Sequence, residues 1–82
     1  MAKPRRRDRG RSDAISDRFA ARRYQLGLTQ LELADLAGVS RSSVQAIEAG
    51  KRSVQFDVVV AVADALGCDL VLTTKAGAAV TV

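Results

Sequence analysis

The sequence predicts a small, mainly α-helical domain that ends in one β-strand. Four stretches place apolar side chains three and four residues apart, which is the spacing of a helix face. A glycine follows each stretch, at positions 27, 38, 50 and 67, where a left-handed residue commonly ends a helix. The segment after the last of these glycines is rich in β-branched residues and is bounded by Gly67 and Gly77, and it is predicted as the strand.

Composition limits the classes of protein that the chain can belong to. Its 82 residues suffice for one small core, which must be aliphatic because the aromatic residues are only Phe19, Tyr24 and Phe56. No run approaches the roughly 20 apolar residues of a membrane span, and no signal peptide is evident. The sequence has no histidine, and Cys68 is its single cysteine. On this basis we expect no enzyme activity, no intrachain disulfide, no metal site and no cofactor. We therefore expect a cytoplasmic protein.

Positive charge is concentrated at the N-terminus. Residues 1–11 hold six cations against Asp8, a net +5, so the total of +4 leaves −1 for residues 12–82. Because residues 1–11 lack a hydrophobic period, they are predicted to form a disordered basic arm. Two interpretations remain open: a solvated tail that aids solubility, or an arm that contacts nucleic-acid phosphates. The phosphate-contacting candidates are Arg5, Arg6 and Arg7.

The helical body is predicted to span residues 12–67. Its first helix should begin near Ser12 or Asp13 and end near residue 26, with one face formed by Ile15, Phe19 and Leu26. The fourth helix is predicted over about residues 56–66. Spacing assigns its inward face to Phe56, Val59, Val60, Ala63 and Leu66.

Between these helices the sequence carries signals for two short helices. Thr29 is predicted to cap a second helix over residues 30–37, and Glu32 completes a capping box. Ser40 is predicted to cap a third helix over residues 41–49.

The residue types at the connection between these two helices indicate a close crossing. Ala34 is small enough to let the helix axes approach, and Gly38 supplies the positive φ of the turn. Val39 is expected to point back into the core, and Val44 and Ile47 to anchor one face of the third helix. This combination is typical of a helix-turn-helix, whose second helix enters a DNA major groove. A generic helical hairpin with its polar face in water is the alternative.

Residues 19–67 resemble the Xre helix-turn-helix family of phage lambda repressor and Cro, through the stretch RRYQLGLTQLELADLAGVSRSSVQAIEAGKR. The resemblance implies a four-helix lambda-repressor-like domain that binds double-stranded DNA. It assigns base reading to Gln30, Arg41, Ser42 and Gln45. It assigns DNA-backbone contacts to Thr29, Ser40, Ser43, Lys51 and Arg52.

Three positions in the predicted third helix carry a more specific expectation. Arg41 suits a bidentate contact with guanine. Ala46 stands where relatives often have a longer polar reader, so either a thymine-methyl contact or no contact is expected there. Glu48 is expected to pair with Arg23 and to be structural rather than base-reading.

Residues 68–76 are predicted to form a dimerisation strand, since an isolated strand leaves unpaired N–H and C=O groups and the helical body offers no second strand. Pairing with a second copy around a two-fold axis satisfies both chains. The paired residues would be Leu70, Val71, Leu72 and Thr73. Leu70 and Leu72 are expected to face the helices, and residues 77–82 to be a flexible tail. A frayed coil after the fourth helix is the alternative.

A strand in place of a fifth helix resembles the HipB-like antitoxin branch of this family. That resemblance implies a homodimeric repressor on an inverted-repeat operator, in the nucleoid of a bacterial cytoplasm. It also implies a HipA-like kinase toxin as partner and repression of the protein's own operon. Two alternatives remain: an interaction subunit that mainly neutralises a partner protein, and a stand-alone phage-type regulator.

Overall fold

A computed structural model describes residues 15–82. The predicted arm and the predicted start of the first helix lie outside these residues. In the described range the helices are α1 (residues 15–25), α2 (Gln30–Ala37), α3 (Arg41–Glu48) and α4 (Phe56–Ala65). The prediction of a mainly helical domain of helix-turn-helix type with four helices is confirmed over this range. None of these helices has the length and apolarity needed to cross a membrane.

The helices enclose a small aliphatic core to which every one of them contributes. The largest fully buried side chains are Leu33, Val44, Val62 and Leu66. Phe19 of α1 closes the core as its one aromatic member. Burial of such side chains stabilises a fold by roughly 1.5–3 kcal/mol each, so this cluster holds the helices in place.

The predicted buried face of α1 is wrong at two of its three positions. Phe19 is buried, but Ile15 and Leu26 are 63% and 43% exposed. Leu26 lies beyond the last helical residue, and the buried stripe runs through Ser16, Phe19 and Arg23. The stripe therefore contains two polar residues, which a search for apolar periodicity does not detect.

The predicted inward face of α4 is also partly wrong. Phe56 and Val60 are 74% and 41% exposed, whereas Val62 is 1% exposed. Because successive helix residues are about 100° apart, a face centred on Val62, Ala63 and Leu66 leaves the other two on the flank.

The connection between α2 and α3 has the geometry that its residues predict. Gly38 adopts a left-handed φ of 72°. The N–H of Val39 then donates to the Ala34 carbonyl at 3.0 Å, and the Val39 side chain packs against the core. Ala34 itself is 1% exposed, as expected for a small residue where two helices approach each other.

Both caps of the helix-turn-helix are formed. The N–H of Glu32 donates to Thr29 Oγ1 at 3.0 Å, and the N–H of Thr29 donates to Glu32 Oε1 at 2.8 Å. At the start of α3, the N–H of Ser43 donates to Ser40 Oγ at 3.2 Å. These bonds satisfy backbone donors that would otherwise lack partners, and each cap stabilises its helix by about 1 kcal/mol.

After α4 the chain folds back on itself in a short hairpin. The N–H of Thr74 donates to the Ala78 carbonyl at 2.8 Å, and the N–H of Val80 donates to the Leu72 carbonyl at 3.0 Å. These bonds flank the single antiparallel bridge, between Thr73 and Ala79. The predicted strand segment therefore has a partner in its own chain at one bridge, in residues 78–80, which lie after the helical body; the sequence did not indicate this pairing.

The hairpin stands apart from the helical core. Leu70 and Leu72 are 47% and 72% exposed, so the prediction that they face the helices is wrong. Val71 and Val80 are exposed as well. In residues 68–82 the extended pairing is limited to the one bridge, and a longer strand over residues 70–74 is not formed.

Candidate nucleic-acid interface

Helix α3 is divided into a buried face and an exposed polar face. Val44 and Ile47 are 0% and 7% exposed and hold the helix in the core. The opposite face exposes Arg41, Ser42 and Gln45, all predicted as base readers. An eight-residue helix anchored in this way presents its polar side chains in a fixed arrangement.

The start of α3 contains a cluster of serine hydroxyl groups. Ser40 Oγ lies 3.0 Å from Ser42 Oγ and 2.9 Å from Ser43 Oγ. Within residues 15–82 the neighbouring Arg41 side chain takes part in no hydrogen bond or ion pair, so its guanidinium group is available to a ligand. Hydroxyl groups and a guanidinium group together suit the edges of bases and the oxygens of phosphates.

Beneath this surface, Arg23 and Glu48 form a bidentate ion pair between α1 and the end of α3. Arg23 Nε donates to Glu48 Oε2 at 2.7 Å, and Nη2 donates to Oε1 at 2.9 Å. The two side chains are only 8% and 9% exposed. Arg23 Nη1 also donates to the Leu28 carbonyl at 2.8 Å, and the guanidinium carbon lies 4.5 Å from the centroid of the Tyr24 ring.

The environment of this pair favours the charged form of both groups. Burial acts to raise the pKa of Glu48, but the hydrogen bonds from Arg23 and Gln30, together with the positive charge of Arg23, lower it below the ordinary value. The hydrogen bond with Glu48 raises the pKa of Arg23 against the opposite effect of burial. The pair therefore remains ionised over the pH range in which the protein is expected to work.

Gln30, predicted as a base reader, has a contact that the sequence did not reveal. It is the first residue of α2, and its Nε2 donates to Glu48 Oε1 at 3.0 Å. The side chain is half-buried. No local pattern signals this bond, because it joins residues that meet only when α2 and α3 are packed together.

A cavity of about 350 Å³ lies between α1, the end of α3, the loop that follows and α4. Its apolar walls include Phe19, Ile47 and Val59. Lys51 and Arg52, both exposed, line it together with Ile15. The first described residue of α1 therefore lies beside the loop whose two cations are predicted to contact phosphates.

These elements define a helix-turn-helix protein in which an anchored α3 exposes a polar, cationic surface. The chain belongs to the helix-turn-helix family HTH_3, which matches residues 19–72, more than half of its length. The resemblance to Xre and lambda-repressor-like domains is thereby confirmed, and the family indicates a DNA-binding transcription regulator. A comparison with curated proteins gives no match.

Proposed function

We propose that the protein is a sequence-specific, dimeric DNA-binding repressor. The observation that carries the proposal is the exposed face of α3, where Arg41, Ser42 and Gln45 stand on a helix fixed by buried Val44 and Ile47. A helix of this size enters the B-DNA major groove, where each base pair presents a distinct pattern of donors and acceptors. Arg41 suits guanine, and Lys51 and Arg52 suit the flanking phosphates.

Substituting Arg41 with alanine is expected to weaken binding to the preferred duplex by about 10- to 100-fold and to relax the preference at one base pair. Lys51→Ala is the matched control, since a phosphate contact carries no sequence information. It should weaken binding to all duplexes alike and reduce the log–log salt slope by about 0.9. Fluorescence anisotropy on duplexes enriched from a random pool measures both. If Arg41→Ala leaves the base preference unchanged, Arg41 is not a reader.

The position of α1 supports a phosphate-contacting role for the basic arm. Ile15, the first described residue of α1, lies beside the loop of Lys51 and Arg52, which the proposal assigns to the DNA backbone. The charge of +5 on residues 1–11 suits a polyanion.

Deleting residues 1–11 is expected to flatten the salt dependence of DNA binding by about 0.9 in log–log slope for each phosphate that the shortened chain no longer neutralises. Replacing Arg5, Arg6 and Arg7 with glutamine should reproduce most of this change at constant chain length. Affinity measured at several salt concentrations gives both slopes. Unchanged slopes would support the solubility tail instead.

The hairpin offers a surface for a second copy. Leu72 and Thr74 direct their bonded groups toward residues 78–80, so strand alternation turns the N–H and C=O groups of Val71 and Thr73 to the other edge. Neither N–H donates to another backbone group within residues 15–82. A two-fold axis at Leu72 would pair Val71 of each chain with Thr73 of the other.

That arrangement gives a four-stranded sheet with an aliphatic row across it. Leu72 and Val80 face each other across the hairpin on one side of the sheet, and they are 72% and 51% exposed in the single chain. In the pair, the Leu72 side chains of the two copies would meet between two Val80 side chains. An inverted-repeat operator requires the two α3 helices of such a dimer to lie about 34 Å apart.

We further propose that this repressor is the antitoxin of a HipBA-like pair in a bacterial cytoplasm. Support comes from the chain segment after α4, which is extended rather than helical and in this resembles the strand that follows the fourth helix of HipB-like proteins. The test measures affinity for the DNA upstream of the gene, with and without the product of the neighbouring gene. A kinase-like neighbour that changes this affinity supports the antitoxin. Strong partner binding with no DNA binding would favour an interaction subunit, and a neighbour without effect would favour a stand-alone regulator.

A further inference from the structure

The carboxylate of Glu48 joins three elements of the fold at one point. Its Oε1 accepts hydrogen bonds from Arg23 Nη2 at 2.9 Å and from Gln30 Nε2 at 3.0 Å. Its Oε2 accepts from Arg23 Nε at 2.7 Å. Gln30 opens α2, Glu48 closes α3 and Arg23 belongs to α1, so the carboxylate links the helix-turn-helix to its supporting helix.

The bond from Gln30 fixes which end of its carboxamide is turned inward. An ionised carboxylate only accepts hydrogen bonds, so the amide nitrogen must face Glu48 and the carbonyl oxygen must lie on the other side. One N–H and the carbonyl oxygen of the half-buried Gln30 then remain for a ligand. An unrestrained glutamine would sample several rotamers and both amide orientations.

We propose that Glu48 is a positioning residue for DNA recognition, which acts by holding the Gln30 carboxamide ready before DNA arrives. This inference rests on the proposed DNA-binding function. The free N–H of Gln30 donates to a phosphate oxygen, which has no donor of its own, and the carbonyl oxygen accepts from a base amino group. Arg23 orients the Glu48 carboxylate through two hydrogen bonds and thereby supports the contact of Glu48 with Gln30.

Holding a side chain in its bound geometry lowers the entropy cost of binding, and the gain is on the order of 2- to 10-fold in affinity for one glutamine. A purely structural Glu48 would instead affect DNA affinity only through the fraction of folded protein. The two roles therefore differ in whether the effect of Glu48 on affinity depends on Gln30.

A double-mutant cycle separates these roles. Gln30→Ala is made in the wild-type chain and in an Arg23→Met, Glu48→Met background. This background removes the hydrogen bond between Gln30 and Glu48 without leaving a buried unpaired charge. Each protein is titrated with the duplex that the wild type enriches from a random pool. Circular dichroism at the assay temperature verifies that each protein is folded.

The expected result is that Gln30→Ala weakens binding about 10-fold in the wild-type chain and less than about 3-fold in the methionine background. Equal fold-changes in both backgrounds would overturn the positioning role. If the methionine pair does not fold, Glu48→Asp takes its place, because a shorter carboxylate withdraws from Gln30 while keeping its charge beside Arg23. If no duplex is enriched by the wild type, the proposed function fails, and the inference fails with it.

Discussion

Replacing Glu48 with alanine is expected to lower the free energy of unfolding by about 3–5 kcal/mol. The substitution leaves the guanidinium group of Arg23 without its carboxylate in a site where that side chain is only 8% exposed. It also removes the acceptor of Gln30. For a small domain with a total stability of roughly 5–15 kcal/mol, this loss is a large fraction. Urea denaturation at pH 7 measures it.

Two control variants define the cause of that loss. Glu32→Ala removes an exposed carboxylate that completes the capping box, and it should cost only about 1 kcal/mol. The double variant Arg23→Met, Glu48→Met removes both charges, and it should recover much of the stability that Glu48→Ala removes. A double variant as unstable as Glu48→Ala would mean that the unpaired charge is not the cause.

Ionisation of the Glu48 carboxylate is expected to make the free energy of unfolding depend on pH in the acidic range. Burial acts to raise its pKa, but the hydrogen bonds from Arg23 and Gln30 and the positive charge of Arg23 together bring it below the ordinary value. The contribution of the carboxylate is therefore complete above the unfolded-state pKa of about 4.3 and is lost as pH falls through the folded-state pKa. The stability difference between wild type and Glu48→Gln should be constant above about pH 5.5 and should narrow below about pH 4. A difference independent of pH would contradict this assignment.

Replacing Val71 with proline is expected to break the proposed dimer and to weaken operator binding by about 10²- to 10⁴-fold. Proline removes the N–H that Val71 turns to the free edge of the hairpin. The bonds of Thr74 with Ala78 and of Val80 with Leu72 do not use that donor. The hairpin should therefore persist while the pairing between chains is abolished. Sedimentation equilibrium gives the oligomeric state, and anisotropy gives the affinity.

Thr81→Pro is the matched control, because Thr81 lies across the hairpin from Val71 and turns its N–H to the opposite edge. It should leave both the oligomeric state and operator affinity unchanged. If the Val71→Pro protein still sediments and binds as a dimer, the two chains associate through another surface. If Thr81→Pro disrupts the dimer equally, the edge formed by residues 78–82 is the one in use.

The parts of the fold that follow from local chemistry could be predicted from the sequence. Thr29 and Ser40 are short hydroxyl residues before apolar runs, and Gly38 stands where only glycine adopts the turn without strain, so the bounds of α2 and the start of α3 follow directly. The exposure of Phe56 could not be predicted this way. Apolar spacing defines a stripe, but the packed neighbours decide which side of that stripe is buried.

The remaining failures concern contacts that residue type and spacing do not specify. Gly77, which adopts a φ of 97°, is a turn signal, but the apolar, alanine-rich tail after it has no strand pattern that predicts the bonds of Ala78 and Val80 with residues 72–74. A glutamine at position 30 is compatible both with a free side chain and with one that is hydrogen-bonded to Glu48, so the residue type does not reveal which is present. The hydrogen bond between Gln30 and Glu48 forms only when α2 and α3 are packed together, so it is seen in the structure and not in the sequence.

The separation of the hairpin from the helical core implies two units that open independently. Arg22 Nε donates to the Leu66 carbonyl at 3.0 Å, and with the Arg23–Glu48 pair it joins α1 to α3 and to the end of α4. Amide hydrogens of the helices should therefore exchange at a common, high free energy, and that of Val80 at a much lower one. Fraying of the hairpin would dissociate a dimer while each DNA-reading body stayed folded. In the proposed dimeric repressor, occupancy of the operator would then depend on protein concentration.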